Sequence, residues 1–359
     1  MKKFTRSFKN AVVASVATLA AMTAPSLFAA EGDLLDVRDS KNDTIKLIFD
    51  TDIGGDIDDA FALALFHVFQ DRGVSELLAV TTTNRSPEAP RFVAAFNNQF
   101  GRPDVPVGLG SVGGRVDDNY LSPITKQTEK YPVPASYKEQ DAVQVLRKAL
   151  ADAPDNSVVI VQVGFSSNLA ALLDSPADDI SDLTGKELAA KKVRLVSVMG
   201  GAFVVDQTAA SYADHCEWNI INDIPAAQKL VREWPGKIVF SGFEVGDRIK
   251  MSPVNLKEDY KGRNEILHEA FGAWAQACAP NEGFNHRRPT WDLTSVFFVV
   301  RPEEGREYFT LSEPGTVDFD EKGKTIFTPD PNGKHQCFLT DEASRIRVLE
   351  AFVNLCSEP

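Results

Sequence analysis

Cysteine and histidine are scarce in this chain of 359 residues: four and five, scattered, with no CxxC pair and no histidine at zinc-ligand spacing. That argues against a zinc centre and against a small scaffold stapled by disulfides. Positive charge is also short. Thirty-eight lysines and arginines face 51 aspartates and glutamates, for a net −13, which disfavours a nucleic-acid polymer or an anionic membrane as partner. A neutral or cationic small molecule, or a metal ion, suits that balance better. Glycine and proline, 23 and 20, are too few for a collagen-like or low-complexity chain. No internal repeat and no linker long enough to separate domains is visible. What remains is ordinary globular composition, enough for a large α/β domain.

The first thirty residues read as an address. Lys2, Lys3, Arg6 and Lys9 precede the short apolar run AVVASVATLAAM, and small residues follow around Ala24–Ala30. This order is that of a secretory signal, and the run is too short for a stable membrane anchor. The expected location is therefore the periplasm or the outside of the cell. Removing residues 1–30 takes four positive charges and no negative one from the net −13, leaving −17. Export would place Cys216, Cys278, Cys337 and Cys356 in an oxidising compartment, where they could pair in any of three ways.

After a polar segment (31–44) the chain settles into alternation. TIKLIFD (44–50), ELLAVTTT (76–83), SVVIVQVG (157–164), VRLVSVMG (193–200) and KIVFSG (237–242) are short, β-branched apolar runs that read as buried strands. Helical patterns separate them: DDAFALALFHVFQ (58–70), EAPRFVAAFNNQF (88–100), AVQVLRKAL (142–150), SNLAALLD (167–174) and DIPAAQKLVREW (223–234). Gly101 stops the second of these, and Asp223 caps the last, with Pro225 in its first turn. Strands alternating with helices imply one α/β domain with a mostly parallel, Rossmann-like central sheet covered by helices. From Arg301 to Gln336 the pieces EYFTLS, GTVDFD and KTIFTP suggest a small β-rich appendage, and DEASRIRVLEAFVNLC closes the chain as a helix.

The segment richest in chemistry is FDTDIGGDIDDAFAL (49–63). Asp50, Asp52, Asp56, Asp58 and Asp59 crowd a turn between a buried strand and a buried helix, with Gly54 and Gly55 allowing a tight backbone. In open α/β sheets ligands sit just past the carboxyl ends of strands, where this loop falls. Carboxylates so close repel unless a cation or hydrogen-bond donors answer them, and hard oxygen ligands favour Ca²⁺ or Mg²⁺. A helix-capping role accounts for Asp56 but not for the other four together. Two other readings stay open: a structural calcium loop of EF-hand type, and a haloacid-dehalogenase-like phosphohydrolase with Asp50 as nucleophile.

DTDIGGDIDDA (50–60) resembles the amino-terminal signature of the inosine-uridine-preferring nucleoside hydrolase family, with two extra residues between Gly54 and the paired acids and Ile53 in place of a proline. TTTN (81–84), VGFSSNLAALL (163–173), VMGGAF (198–203), CEWNIINDIPAA (216–227) and TWDLTSV (290–296) are similar to further family blocks, in family order. The resemblance covers about residues 45–300 and implies calcium-dependent hydrolysis of a nucleoside to base and free ribose, by a homo-oligomer. It implies Asp52, Asp59, Asp292 and the Ser167 carbonyl as calcium ligands, and Asp52 as the base that activates water. Asp58, Asn84, Glu217 and Asn219 would bind sugar hydroxyls, and Met199 would line the pocket. Trp291 stands where many members have a histidine near the leaving base; its indole is no useful acid but has a face to stack on a planar base. Glu217 and Asn219 read as one side of a short extended segment. The stretch 201–216 is longer than in the family, and neither Asp206 nor Gln207 matches its asparagine contact to the sugar. His215 and His286 are candidate acids for the leaving base. A calcium-dependent relative that binds a nucleoside or sugar without hydrolysing it is the alternative.

Overall fold

The computed structural model describes Val37 and residues 43–204, 207–302 and 307–358. The signal-like segment, most of the polar segment and Asp206 lie outside these. Leu34–Pro359 form one unit. The strands are β1 (Ile45–Thr51), β2 (Ser75–Thr82), β3 (Val107–Leu109), β4 (Gln140–Asp141), β5 (Val158–Gln162), β6 (Val193–Met199), β7 (Ile238–Ser241), β8 (Thr310–Leu311), β9 (Gly315–Phe319), β10 (Thr325–Pro329) and β11 (His335–Leu339). They make one sheet in the order β10-β9-β11-β7-β6-β5-β1-β2-β3-β4, with β8 paired to β11. Every pairing from β4 across to β11 is parallel. The expected α/β domain is therefore present. Its C-terminal β-rich stretch is an antiparallel extension of the same sheet, since β8 and β9 both pair with β11.

The strand order reverses at β1, which lies between β2 on one side and β5 on the other, so loops leaving these strands diverge and open a crevice. Side-chain alternation sorts the core into two layers. Leu47, Phe49, Val159 and Val161 face one side of the sheet; Ile48, Val158, Ile160 and Val196 face the other. The first layer is closed by α1 (Asp58–Asp71), α2 (Glu88–Gln99), α3 (Leu121–Thr125) and helices from later in the chain; the second by α4 (Ala142–Asp152), α5 (Ser167–Asp174) and α6 (Gly185–Lys192). The short α7 (Trp218–Ile221) and α8 (Ile224–Glu233) follow β6, and α9 (Phe243–Asp247) follows β7. Asp223 caps α8 as expected, accepting from Ala226 N at 3.2 Å. Helices α10 (Glu265–Cys278), α11 (Trp291–Val300) and α12 (Glu342–Cys356) complete the first layer.

Helix α1 is buried from Asp58 to Phe69, which explains why it is apolar almost all round. It lies between the sheet, where Phe66 meets Phe49 at 4.7 Å between ring centres, and α11 and α12. None of the four cysteines is paired: Cys337 and Cys356 are buried and Cys278 is exposed. Among the described residues no helix is long and apolar enough to cross a membrane.

Candidate active site

Strand β1 delivers the chain to the crevice and the acidic loop turns there over Gly54, at φ +123°. A side chain at this glycine would stand 2.5 Å from both Asn84 Nδ2 and Leu121 Cδ1, so only glycine fits. The turn is pinned from above: Gly54 N donates to Tyr120 Oη at 3.0 Å, Asn119 N donates to Gly54 O at 3.0 Å, and Asn119 Nδ2 donates to Gly55 O at 2.6 Å. Below it, Thr51 Oγ1 donates to Asp59 Oδ1. Helix α1 starts with no side-chain cap, so Asp58 and Asp59 are released from capping and turned inward. Asp58 Oδ2 instead accepts from Asp292 N at 3.2 Å, tying the acidic loop to the start of α11 from far along the chain.

This brings Asp58, Asp59 and Asp292 together, all buried, with one carboxylate oxygen of each within 4.8 Å of the others. They line the floor of a cavity of about 430 Å³ with Asp52. Among its lining residues are Val163, Met199, Glu217 and Asn219 on one flank and the aromatic side chains of Trp218, Phe243, Trp274 and Trp291. Burial pushes Asp52 up to about 8, helped by the nearby charges of Asp58, Glu217 and Asp117. It pushes Asp58 and Glu217 each to about 7, and holds Asp59 and Asp292 well above the usual carboxylate range. The cations close by are already engaged: Arg115 bonds to Asp117 at 3.2 Å and Arg288 to Asp56. An all-oxygen set of buried carboxylates with unmet charge fits a hard divalent cation, which would relieve both repulsion and desolvation.

The flank is built by capping. Glu217 opens α7, its Oε1 accepting from Asn219 N at 2.9 Å and its Oε2 from Ile220 N at 3.2 Å and Gly201 N at 3.3 Å. Asn219 Nδ2 donates to Val163 O at 2.7 Å and to Met199 O at 3.2 Å, joining α7 to the ends of β5 and β6. The two share a surface, but through a one-turn helix rather than the extended segment read from the sequence.

Several expectations need correction. Asn84 does not line the cavity. Its amide is spent on backbone, donating to Ile53 O at 2.8 Å and Asp117 O at 2.7 Å and accepting from Ser86 N and Asp117 N, so it clamps the acidic loop to the loop before α3. Ser167 is not among the residues that line the cavity either. It opens α5, where its hydroxyl bonds to Asp223 Oδ2, and the residue of this stretch that lines the cavity is Val163. Asp56 is not a cap; Ile57 occupies that position. Neither His215 nor His286 lines the cavity: one stacks on Phe243 and the other bonds to Glu282. Asp50 is fully buried behind the site, its Oδ1 accepting from Thr81 Oγ1 at 2.6 Å and Asn168 Nδ2 at 2.7 Å. A nucleophile cannot work there, which removes the phosphohydrolase reading. The EF-hand reading falls as well, because one of the three clustered acids comes from α11 and not from the loop.

Sequence reasoning missed Arg115, Asp117 and Asn119, which reach the cavity from the GGRVDDN loop, and Trp218, Phe243, Trp274 and Cys278. The loop carried a usable signal in its glycines and acids; the aromatic residues sit in unremarkable helical sequence.

The inosine-uridine preferring nucleoside hydrolase model matches residues 47–353, and the chain belongs to that family of N-ribosyl hydrolases. Solved structures with the same fold include a plant nucleoside hydrolase, PpNRh1, with 22% identity, TM-score 0.65 and coverage of 88% of this chain and all of that one. A purine-preferring ribonucleoside hydrolase from Gardnerella vaginalis has 20% identity, TM-score 0.65 and coverage of 87% and 98%. The type III effector protein XopQ, complexed with adenosine diphosphate ribose, has 15% identity, TM-score 0.61 and coverage of 88% and 94%. No curated protein matches the sequence.

Proposed function

We propose that this chain hydrolyses the N-glycosidic bond of a nucleoside to free base and ribose, with calcium bound at its acidic floor. The observation that carries the reading is the meeting of Asp58, Asp59 and Asp292, from opposite ends of the domain, beneath a cavity with aromatic walls. Asp59 and Asp292 are the ligands we assign to the ion, with Asp52 and Asp58 beside them. A hard cation held there positions water and makes it more acidic.

The remaining work falls to side chains. Asp52, lining the same floor and ionised beside a bound cation, accepts the proton of the attacking water. Glu217, Asn219 and Asp58 face the sugar; carboxylates there hold hydroxyls and stabilise the positive charge that grows on the ring as the bond breaks. Met199 packs the sugar flank, and Trp291 offers a face for a planar base. Export through residues 1–30 and homo-oligomer formation belong to the same proposal.

A second reading is favoured by one observation: neither candidate histidine acid lines the cavity, as a relative that binds a nucleoside without cleaving it would permit. One screen separates them. Purine, pyrimidine and modified nucleosides are incubated with the protein in calcium and in chelator, and reducing sugar is measured. Ribose released only with calcium supports hydrolysis. Saturable nucleoside binding with no ribose from any member of the panel refutes it in favour of the binding reading.

A further inference from the structure

Behind two of the aromatic rings that line the cavity lies a cation. Arg288, in the loop before α11, is only 9% exposed, and its guanidinium carbon lies 4.9 Å from the ring centres of both Trp274 and Trp291. Both rings line the cavity. Asp56, from the lengthened part of the acidic loop, lines it too and ion-pairs with Arg288. The backbone is equally fixed: Met251 N donates to Arg288 O at 2.8 Å, and Thr290 Oγ1 to Ile249 O at 2.8 Å. Trp291 is held by its Nε1–H donating to Phe243 O at 2.9 Å, and by Gly246, where any side chain would collide with the Trp291 backbone. The Nε of Arg288 has no partner. Packing alone does not explain a guanidinium here, because an apolar side chain would fill the space without the desolvation a buried charge suffers.

We propose that Arg288 is a positioning residue for the leaving group: clamped by Asp56 between Trp274 and Trp291, it sets the two rings as walls for a planar aglycone and keeps a fixed positive charge behind them. The inference rests on the hydrolase reading above. As water oxygen bonds to the anomeric carbon, its proton passes to Asp52 and the carbon–nitrogen pair leaves with the aglycone, whose nitrogen takes a proton from solvent. Arg288 keeps all its protons and acts by charge and by holding the rings. It thereby supplies assistance that neither His215 nor His286 is placed to give. Substrates favoured by such a wall are heteroaromatic bases that leave poorly unaided.

The test compares Arg288→Met, Arg288→Lys and wild type on inosine, uridine and 4-nitrophenyl riboside, whose phenolate departs readily without help. Arg288→Met should lower kcat on the better nucleoside about 100-fold but on the nitrophenyl substrate less than about 5-fold, and Arg288→Lys should recover part of the loss. Should Arg288→Met fail to fold, Asp56→Asn, which releases the clamp, should show the same bias at smaller size. Folding is checked by calcium-induced thermal stabilisation, which needs no turnover. Equal loss on every substrate with no recovery by lysine, or no loss at all, overturns the proposal and leaves Arg288 a packing role. A wild type that is stabilised by calcium yet releases no sugar from any of the three overturns the hydrolase reading itself, and this inference with it.

Discussion

Loading the acidic floor with a cation should release protons, and the release should be visible as a stability that falls with rising pH in chelator and holds level in saturating calcium. Without a cation, burial raises Asp52 from 3.8 to about 8 and Asp58 to about 7, and Glu217 from 4.5 to about 7. Near neutrality the fold therefore holds protons that the unfolded chain has already lost. A raised acid contributes stability that is fully present below its unfolded value and is lost as pH rises through its folded value, here between about 4 and 8. Each such carboxyl costs about 1.4 kcal/mol of stability per pH unit in the chelated protein. A bound cation favours the ionised form and removes that cost. At a free concentration about 1,000 times Kd it stabilises by about 4 kcal/mol, roughly 6 °C for a domain of about 320 residues. Each proton displaced should widen the gap between calcium and chelator by about 2 °C per pH unit. Thermal melts in the two conditions from about pH 6.5 to 8 check this, and titration calorimetry in buffers of unlike ionisation enthalpy counts the protons. A gap that stays flat across that range, with no proton release on calcium addition, would refute the picture of a protonated acidic floor.

Other outcomes follow from single side chains. Asp52→Asn should abolish ribose release while leaving the melting temperature within a few degrees, measured by sugar assay and thermal melt, because it loses the base but keeps an oxygen at the floor; near-normal turnover would move the water-activating role elsewhere. Gly54→Ala should cost about 3 kcal/mol, since the φ of +123° and contacts with Asn84 and Leu121 leave no room, and denaturant melts should show it together with weakened calcium binding. His67 and His335 are held neutral by burial, lowered from the usual 6.5 to about 3 and about 4. The unfolded chain binds more protons below 6.5, so acidification should destabilise the fold by about 2 kcal/mol per histidine by about pH 5, and denaturant melts of His67→Gln should show a shallower acid slope.

What the sequence made legible was whatever depends on local pattern. Apolar runs separated by amphipathic ones announced strands β1, β2, β5, β6 and β7 and the helices between them, because a strand buried on both faces has no polar positions to disguise it. Five acids beside two glycines announced the floor, because no ordinary helix start needs so many. What escaped depends on partners distant in the chain. Strand β11 carries no clear signal, yet it joins the main sheet because it lies parallel to β7, and that pairing turns an expected appendage into an extension. Asn84 resembled a sugar ligand only until the backbone of Asp117 came within 2.7 Å and used its amide.

The same logic separates the two ends of the cavity. The acidic end draws on residues near strand ends, Asp52 after β1, Val163 after β5 and Met199 at the end of β6, which strand periodicity plus one loop makes legible, and on Asp292 from the start of α11, which local pattern does not place. The aromatic end is made by helix starts and ends, Phe243 opening α9, Cys278 closing α10 and Trp291 opening α11, whose placement depends on how whole helices pack together. The aromatic lining is therefore set by tertiary packing, which local pattern does not carry, while the acidic loop is set by neighbours in sequence.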